Sequence, residues 1–132
     1  MARLTVFVAR LIGLSTLLIV VGFLVRGSAV IDATVADGPV MLAYAIFGLA
    51  AGVAMIVGHN LWSGGALPVV VTLVGWLIFA KSLLLLLLPP AALNLFLERV
   101  HYGQHPYLYL VPALVIGLYL TWAGFTARTE RG

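Results

Sequence analysis

Four long runs of apolar residues, separated by short segments rich in polar residues, glycine or proline, dominate this chain. The runs cover residues 4–25, 40–57, 67–88 and 107–125. A helix needs about 20 mostly apolar residues to cross a hydrocarbon core of about 30 Å, so each run is long enough for one crossing. The sequence therefore predicts an all-α fold, an integral membrane four-helix bundle that forms a single domain over residues 1–132.

The segments between the runs carry turn and breaker signals. Arg26 to Pro39 is rich in Gly, Ala and Asp, Trp62 to Gly65 is a very short turn, and Pro89 to Pro106 is a longer connection. In the last of these, residues 91–102 place apolar residues on one side and polar residues on the other. That pattern predicts a short interfacial helix between the third and fourth spans.

The composition agrees with a membrane protein and limits the kinds of reactive site and partner that the chain can have. Hydrophobic residues make up 64% of the chain and charged residues 8%, whereas a soluble domain has roughly a quarter charged residues. The absence of cysteine excludes disulfides and thiolate chemistry. The net charge of +3 comes from scattered basic residues, so no nucleic-acid partner is predicted.

The distribution of arginine predicts an orientation. Cytoplasmic segments of membrane proteins carry an excess of Lys and Arg. Four arginines fall on the side of the termini and two on the other side: Arg3, Arg10, Arg128 and Arg131 against Arg26 and Arg99. Both termini are therefore predicted to be cytoplasmic. A basic start is also typical of a cleavable signal peptide, but the apolar run 11–25 is at the upper length limit, so we expect a retained helix.

Small residues on one face of a membrane helix mark the side on which it packs. The second run has Gly48 and Gly52 in one stripe with Ala45, Met55 and His59. The fourth run has a similar stripe that contains Gly117, Thr121 and Gly124. These stripes predict packing within the bundle, and a partner or a second copy is the alternative for the second or the fourth run.

Lys81 stands out because a charged side chain within a spanning helix is costly and is a functional-site hypothesis by default. It points about 180° away from Thr72, which lies at the centre of the small-residue face of the third run. Two alternatives follow. Either the lysine extends along the helix to the membrane surface, or it contacts a substrate, an ion or a counter-charge on a partner.

The end of the second run, Gly58-His59-Asn60-Leu61-Trp62, concentrates polar side chains. His59 continues the glycine stripe and should face another helix. Its imidazole and the Asn60 amide are suited to carbonyl groups at a helix end, which lipid cannot satisfy. The alternative is a ligand contact formed by His59, Asn60 and Trp62.

The sequence gives little support for a metal site, a haem site or a catalytic site. Glu98 and His101 have the E-x-x-H spacing of di-iron bundles, but the further carboxylates that such a site needs are missing. A single metal ion bound by Glu98, His101 and His105 is the remaining candidate for a metal site. Haem held by two histidines would need them at similar depth, whereas His59 is predicted at the opposite side from the other two. No cofactor is predicted, and no catalytic set is found.

The pattern Gly58-His59-Asn60-x-Trp62, Gly75-Trp76, Lys81 and Pro89 resembles a family of small, uncharacterised multi-pass inner-membrane proteins of bacteria. The resemblance covers about the middle third of the chain, with a looser similarity in the fourth run. It implies a bacterial inner membrane and no particular activity. It adds Trp76 to His59, Asn60, Trp62 and Lys81 as candidate contact residues.

These observations favour a protein that is not an enzyme. The leading hypothesis is an accessory or scaffold subunit of a larger membrane assembly, with membrane lipids and other membrane-protein subunits or a homo-oligomer as partners. The alternatives are a small oligomeric transporter or channel that uses Lys81, and a module that binds a lipid, a quinone or another small molecule.

Overall fold

The computed structural model describes residues 3–88, 91–92, 95, 99 and 106–127. Its helices are α1 (Arg3–Arg26), α2 (Ser28–Ala36), α3 (Gly38–Gly58), α4 (Ala66–Leu87) and α5 (Pro106–Thr126). The four long helices begin and end within two residues of the four apolar runs. The all-α prediction is confirmed, while the interfacial helix predicted near residues 91–102 lies largely outside the described residues.

Three of these helices, α1, α3 and α4, are long and apolar enough to cross a membrane. In α5 the apolar stretch Leu110–Thr126 is shorter. Many outward side chains are large and apolar, and Phe47 and Val57 of α3 are 77% and 82% exposed. Surfaces of this kind are compatible with a membrane protein, since water would oppose their exposure.

The first connection is more structured than its composition predicts. The segment between Arg26 and Pro39 was expected as a turn, but it contains the nine-residue helix α2. No Gly or Pro interrupts residues 28–36, and Gly27 breaks the chain before them with a positive φ of 84°. After α2, the Asp37 side chain accepts a hydrogen bond from the backbone N–H of Val40 and caps α3.

The most extensive contacts join α1 to α5. The two helices are antiparallel, because the middle of α1 meets the second half of α5 and Arg10 meets Gly124. A Cβ atom added at Gly13 would lie 2.6 Å from the backbone nitrogen of Thr121. The predicted stripe with Gly117, Thr121 and Gly124 therefore faces α1 of the same chain, and glycine allows the close approach.

A second antiparallel pair is formed by α3 and α4. A Cβ atom at Gly52 would lie 2.7 Å from the backbone of Phe79, and one at Gly75 would lie 2.9 Å from the Cβ atom of Met55. Gly48 lies against Ser82, whose buried hydroxyl has no hydrogen-bond partner within the described ranges. The glycine stripe of α3 is thus occupied by α4.

The two pairs share one apolar core. It contains buried residues from α1, α3, α4 and α5: Ala9, Met55, Leu67, Val71, Val74, Leu120 and Ala123. Contacts between the pairs are less extensive than those within them. The start of α1, the end of α3, the start of α4 and the end of α5 lie at one end of the molecule, which we call the His59 end.

Candidate functional site

The candidate residues from the sequence fall into two clusters at opposite ends of the α3–α4 pair. His59, Asn60, Trp62 and Trp76 lie at the His59 end, together with the 59–65 connection. Lys81 lies toward the other end, six residues before Leu87, which corresponds to about 9 Å along the helix. The structure therefore does not bring Lys81 together with the other four.

His59 ends α3 and turns its imidazole inward, where it is only 3% exposed. Its Nε2 lies 2.8 Å from the hydroxyl of Thr5 in α1, and its Nδ1 lies 3.3 Å from the hydroxyl of Thr72 in α4. Both hydroxyls are buried. The imidazole thus joins three helices, and the α1–α5 pair is linked to the α3–α4 pair through it.

The Thr72 hydroxyl has further hydrogen-bond partners besides His59. The Thr72 hydroxyl accepts a hydrogen bond from the backbone N–H of Leu61 and lies 2.8 and 2.9 Å from the carbonyl oxygens of Leu61 and Pro68. With its single proton on one of these carbonyls, the hydroxyl receives a hydrogen bond from Nδ1–H of His59. The Nε2 atom is then an acceptor, and the Thr5 hydroxyl donates to it.

Both ring nitrogens of His59 are therefore engaged by hydroxyl groups. A metal or haem ligand needs a ring nitrogen with a free lone pair, and Nε2 would have to give up Thr5 to supply one. Within the described residues, no group of three or more His, Cys, Asp or Glu side chains is placed to hold a metal. The candidates Glu98, His101 and His105 lie outside the described residues.

Asn60 turns the opposite way, to the surface, and forms the second part of this cluster. Its side-chain oxygen accepts hydrogen bonds from the indole N–H of Trp62 at 2.9 Å and of Trp76 at 3.4 Å. Trp76 also makes an edge-to-face contact with Phe79, at 6.1 Å between ring centroids. Because an indole N–H is only a donor, the Asn60 oxygen must be the atom between the rings.

The Asn60 group is exposed, with Trp62 57% and Trp76 41% accessible. Indole rings with an apolar body and a polar N–H favour the boundary between hydrocarbon and water. A molecule at the His59 end would meet this amide and these two rings before it met the buried imidazole. Of the sequence candidates there, Asn60, Trp62 and Trp76 form one surface group and His59 belongs to the interior.

Lys81 lies on the exposed side of the α3–α4 pair, and its ammonium donates a hydrogen bond to the hydroxyl of Tyr44 in α3. The ammonium nitrogen lies 4.7 Å from the centroid of the Tyr44 ring. Tyr44 was not among the candidates. The chain alone gives no signal for this pairing, because the two residues are 37 positions apart and meet only when α3 and α4 pack side by side.

Arg10 is a cation in the interior of α1, and it is bonded inside the chain. Its Nε–H donates to the carbonyl oxygen of Gly124 at 2.8 Å, and its guanidinium carbon lies 4.9 Å from the centroid of the Phe125 ring. The carbonyl belongs to the last turn of α5, where backbone acceptors lack helical partners and the helix dipole favours a cation. Arg10 therefore stabilises the end of α5.

Comparison with known proteins adds no relative. No protein-family model, curated protein or solved structure matches this chain. The resemblance to small bacterial inner-membrane proteins thus stays a prediction, and function has to be argued from the geometry alone.

Proposed function

We propose that this chain is an integral membrane protein that acts by association, as an accessory or scaffold subunit of a larger membrane assembly. In this proposal the four long helices form one bundle in a bacterial inner membrane, with the His59 end and both termini in the cytoplasm. The observation that carries the proposal is a second stripe of small residues on α3, on the side that faces away from α4.

This outer stripe consists of Ala50, Ala54 and Gly58, which follow one another at intervals of four residues. All three are exposed, and an added Cβ atom at Gly58 would have no neighbour within 4 Å. The same spacing on the opposite side, Gly48 and Gly52, is where α4 packs. In lipid, helices associate through close backbone approach over such stripes, so the outer stripe is suited to a further helix.

The bonding of the polar side chains supports the same proposal. Arg10, His59 and Thr72 form their hydrogen bonds within the chain, and Lys81 bonds Tyr44 on the outer surface. A catalytic centre or a polar path would need convergent groups that face an internal space. A transport role for Lys81 would instead require several copies around the outer surface of the α3–α4 pair.

The test is co-purification of the tagged full chain in a mild detergent, followed by native mass spectrometry of the complex. We expect a protein partner, or a second copy, at fixed stoichiometry. Ala54→Ile should reduce its recovery about tenfold, because a branched side chain keeps a neighbouring helix from approaching. Ala80→Ile, on an exposed position of α4, is the matched control and should leave recovery unchanged.

Two outcomes would refute the proposal. One is a chain that remains alone in every detergent and shows solute flux in proteoliposomes, with flux lost in Lys81→Met. The other is ligand-dependent activity of the purified single chain. Helical content and thermal stability, measured by circular dichroism, verify that Ala54→Ile is folded before its recovery is compared.

A further inference from the structure

The pair formed by Lys81 and Tyr44 has more hydrogen-bond donors than the protein around it uses. A lysine ammonium has three N–H donors and no acceptor, and a phenol has one O–H donor. One N–H of Lys81 goes to the Tyr44 oxygen. The phenol proton must then point away from the ammonium, so two N–H groups and one O–H group are left over.

These three donors have no acceptor among the residues that the structure describes. The only hydrogen bond and the only ring contact that Lys81 makes there are with Tyr44, and Tyr44 makes no other hydrogen bond among these residues. Asp37, at the same end of α3, uses its carboxylate to cap the helix at Val40. The two remaining N–H groups of this cation and the phenol O–H, beside the exposed apolar side chain of Leu84, are therefore suited to an anionic oxygen from outside the described residues.

The position of the pair indicates where that oxygen comes from. Tyr44 lies six residues from the start of α3 and Lys81 six from the end of α4, so each is about 9 Å from the end of its own helix on this side of the molecule. Gly48 is level with Ser82, and Tyr44 is one helical turn closer to the end. The lysine side chain is therefore directed along the helix toward the membrane surface, where lipid phosphates lie.

We propose that Lys81 and Tyr44 form a binding site for the phosphate group of an anionic phospholipid. Two ammonium N–H groups and the phenol O–H would donate to the non-bridging phosphate oxygens. A zwitterionic lipid is a poorer ligand, because its cationic group would find no acceptor beside Lys81. This inference is independent of the proposed function, which needs no lipid at this position.

The test is native mass spectrometry of the purified full chain in mild detergent, titrated with phosphatidylglycerol or with phosphatidylcholine of the same acyl chains. We expect a 1:1 phosphatidylglycerol adduct that is at least several-fold tighter than the phosphatidylcholine adduct. Lys81→Met should weaken phosphatidylglycerol binding about tenfold and Tyr44→Phe by a smaller factor, since hydrogen bonds to charged groups are the stronger ones. Lys81→Arg should retain most of the affinity.

Arg26→Met is the matched control, because it removes one positive charge near the same end of the molecule without touching the pair. Equal loss of binding in Arg26→Met and Lys81→Met would overturn the proposal and leave only a general effect of net charge. Equal affinity for the two lipids, or binding that is unchanged in Lys81→Met, would also overturn it. Displacement of the lipid by millimolar inorganic phosphate would assign the site to a soluble phosphate instead.

A partner helix with a carboxylate is the competing source of the anionic oxygen. Loss of a protein partner in Lys81→Met, with phosphatidylglycerol binding intact, would identify that source and exclude the lipid site. Circular dichroism of each variant controls for folding. Lys81→Arg keeps the test valid if Lys81→Met proves unstable, because the arginine variant must then bind phosphatidylglycerol and reject phosphatidylcholine as the natural chain does.

Discussion

At the scale of single residues, a buried cluster of three polar side chains joins the two helix pairs. His59 contacts Thr5 on one side and Thr72 on the other, and all three are almost fully buried. A buried donor or acceptor that loses its partner carries a desolvation penalty of about 1–3 kcal/mol. The three residues therefore specify how the α1–α5 pair is placed on the α3–α4 pair.

We expect His59→Ala to lower the free energy of unfolding by about 1–3 kcal/mol, since it removes both hydrogen bonds and leaves the Thr5 hydroxyl with no other partner among the described residues. The Thr72 hydroxyl, in contrast, keeps Leu61 and Pro68 as partners. Thr5→Val should have a smaller effect. In a double-mutant cycle the two changes should couple by roughly 0.6 kcal/mol and at most about 1.7 kcal/mol, the range found for hydrogen bonds between membrane helices. Unfolding in detergent, followed by circular dichroism, measures all four variants.

Additive effects of the two substitutions would contradict a direct contact between Thr5 and His59. Thr34→Val is a suitable control, because the Thr34 hydroxyl bonds only the carbonyl of Val30 in its own helix. Its loss should not couple to His59→Ala.

At the scale of elements, helix pairing depends on glycine where two backbones come closest. Gly13 faces Thr121 in one pair, and Gly52 faces Phe79 in the other. In both places the nearest atoms belong to the backbone of the other helix, so a larger residue cannot be accommodated by a change of rotamer. Gly22, in contrast, lies on α1 with no atom near its missing Cβ.

Gly52→Ala should therefore destabilise the protein by about 1–3 kcal/mol, the usual effect of overpacking a close contact. Gly22→Ala should be neutral or stabilise it by up to about 1 kcal/mol, because alanine is the better helix former. The comparison uses thermal unfolding of the two variants in one detergent. Equal stability of both would show that α3 and α4 do not approach as closely as described.

At the scale of the whole molecule, two antiparallel pairs place four helix ends together. Arg10 at the start of α1 bonds the last turn of α5, and His59 at the end of α3 bonds the start of α1. The 59–65 connection, the start of α1 and the end of α5 thus lie at one end of the molecule. The short helix α2 lies at the other end. If all four long helices cross the membrane, this arrangement predicts which segments share a side of it.

Because the sequence contains no cysteine, single introduced cysteines report this topology directly. Ser63→Cys and Thr126→Cys should react with a membrane-impermeant maleimide from the same side, and Ala36→Cys only from the other. In right-side-out vesicles we expect Ala36→Cys to be labelled and the other two to be protected until the membrane is opened, as the arginine distribution predicts. Labelling of Ala36→Cys and Ser63→Cys from one side would refute the arrangement.

The sequence by itself determined the long helices and the sides on which they pack. Lipid offers no hydrogen bonds to a backbone, so a run of some 20 apolar residues has to become a helix, and its bounds follow from Gly, Pro and polar residues at its ends. The stripes with Gly48 and Gly52 and with Gly117 and Gly124 could be identified for the same reason, since close approach requires small residues at helical spacing.

Only the tertiary structure decided which stripes meet, and with that the polar contacts. All four long helices carry a face suited to a neighbour, so spacing along the chain cannot distinguish one pairing from another. The contacts of His59 with Thr5 and of Lys81 with Tyr44 each join residues more than 30 positions apart. The first exists only once the α1–α5 pair packs on the α3–α4 pair, and the second only once α3 packs on α4. The local sequence pattern determines each helix, because the backbone hydrogen bonds of a helix are formed within it. Which helices become neighbours depends on how well their whole surfaces fit together.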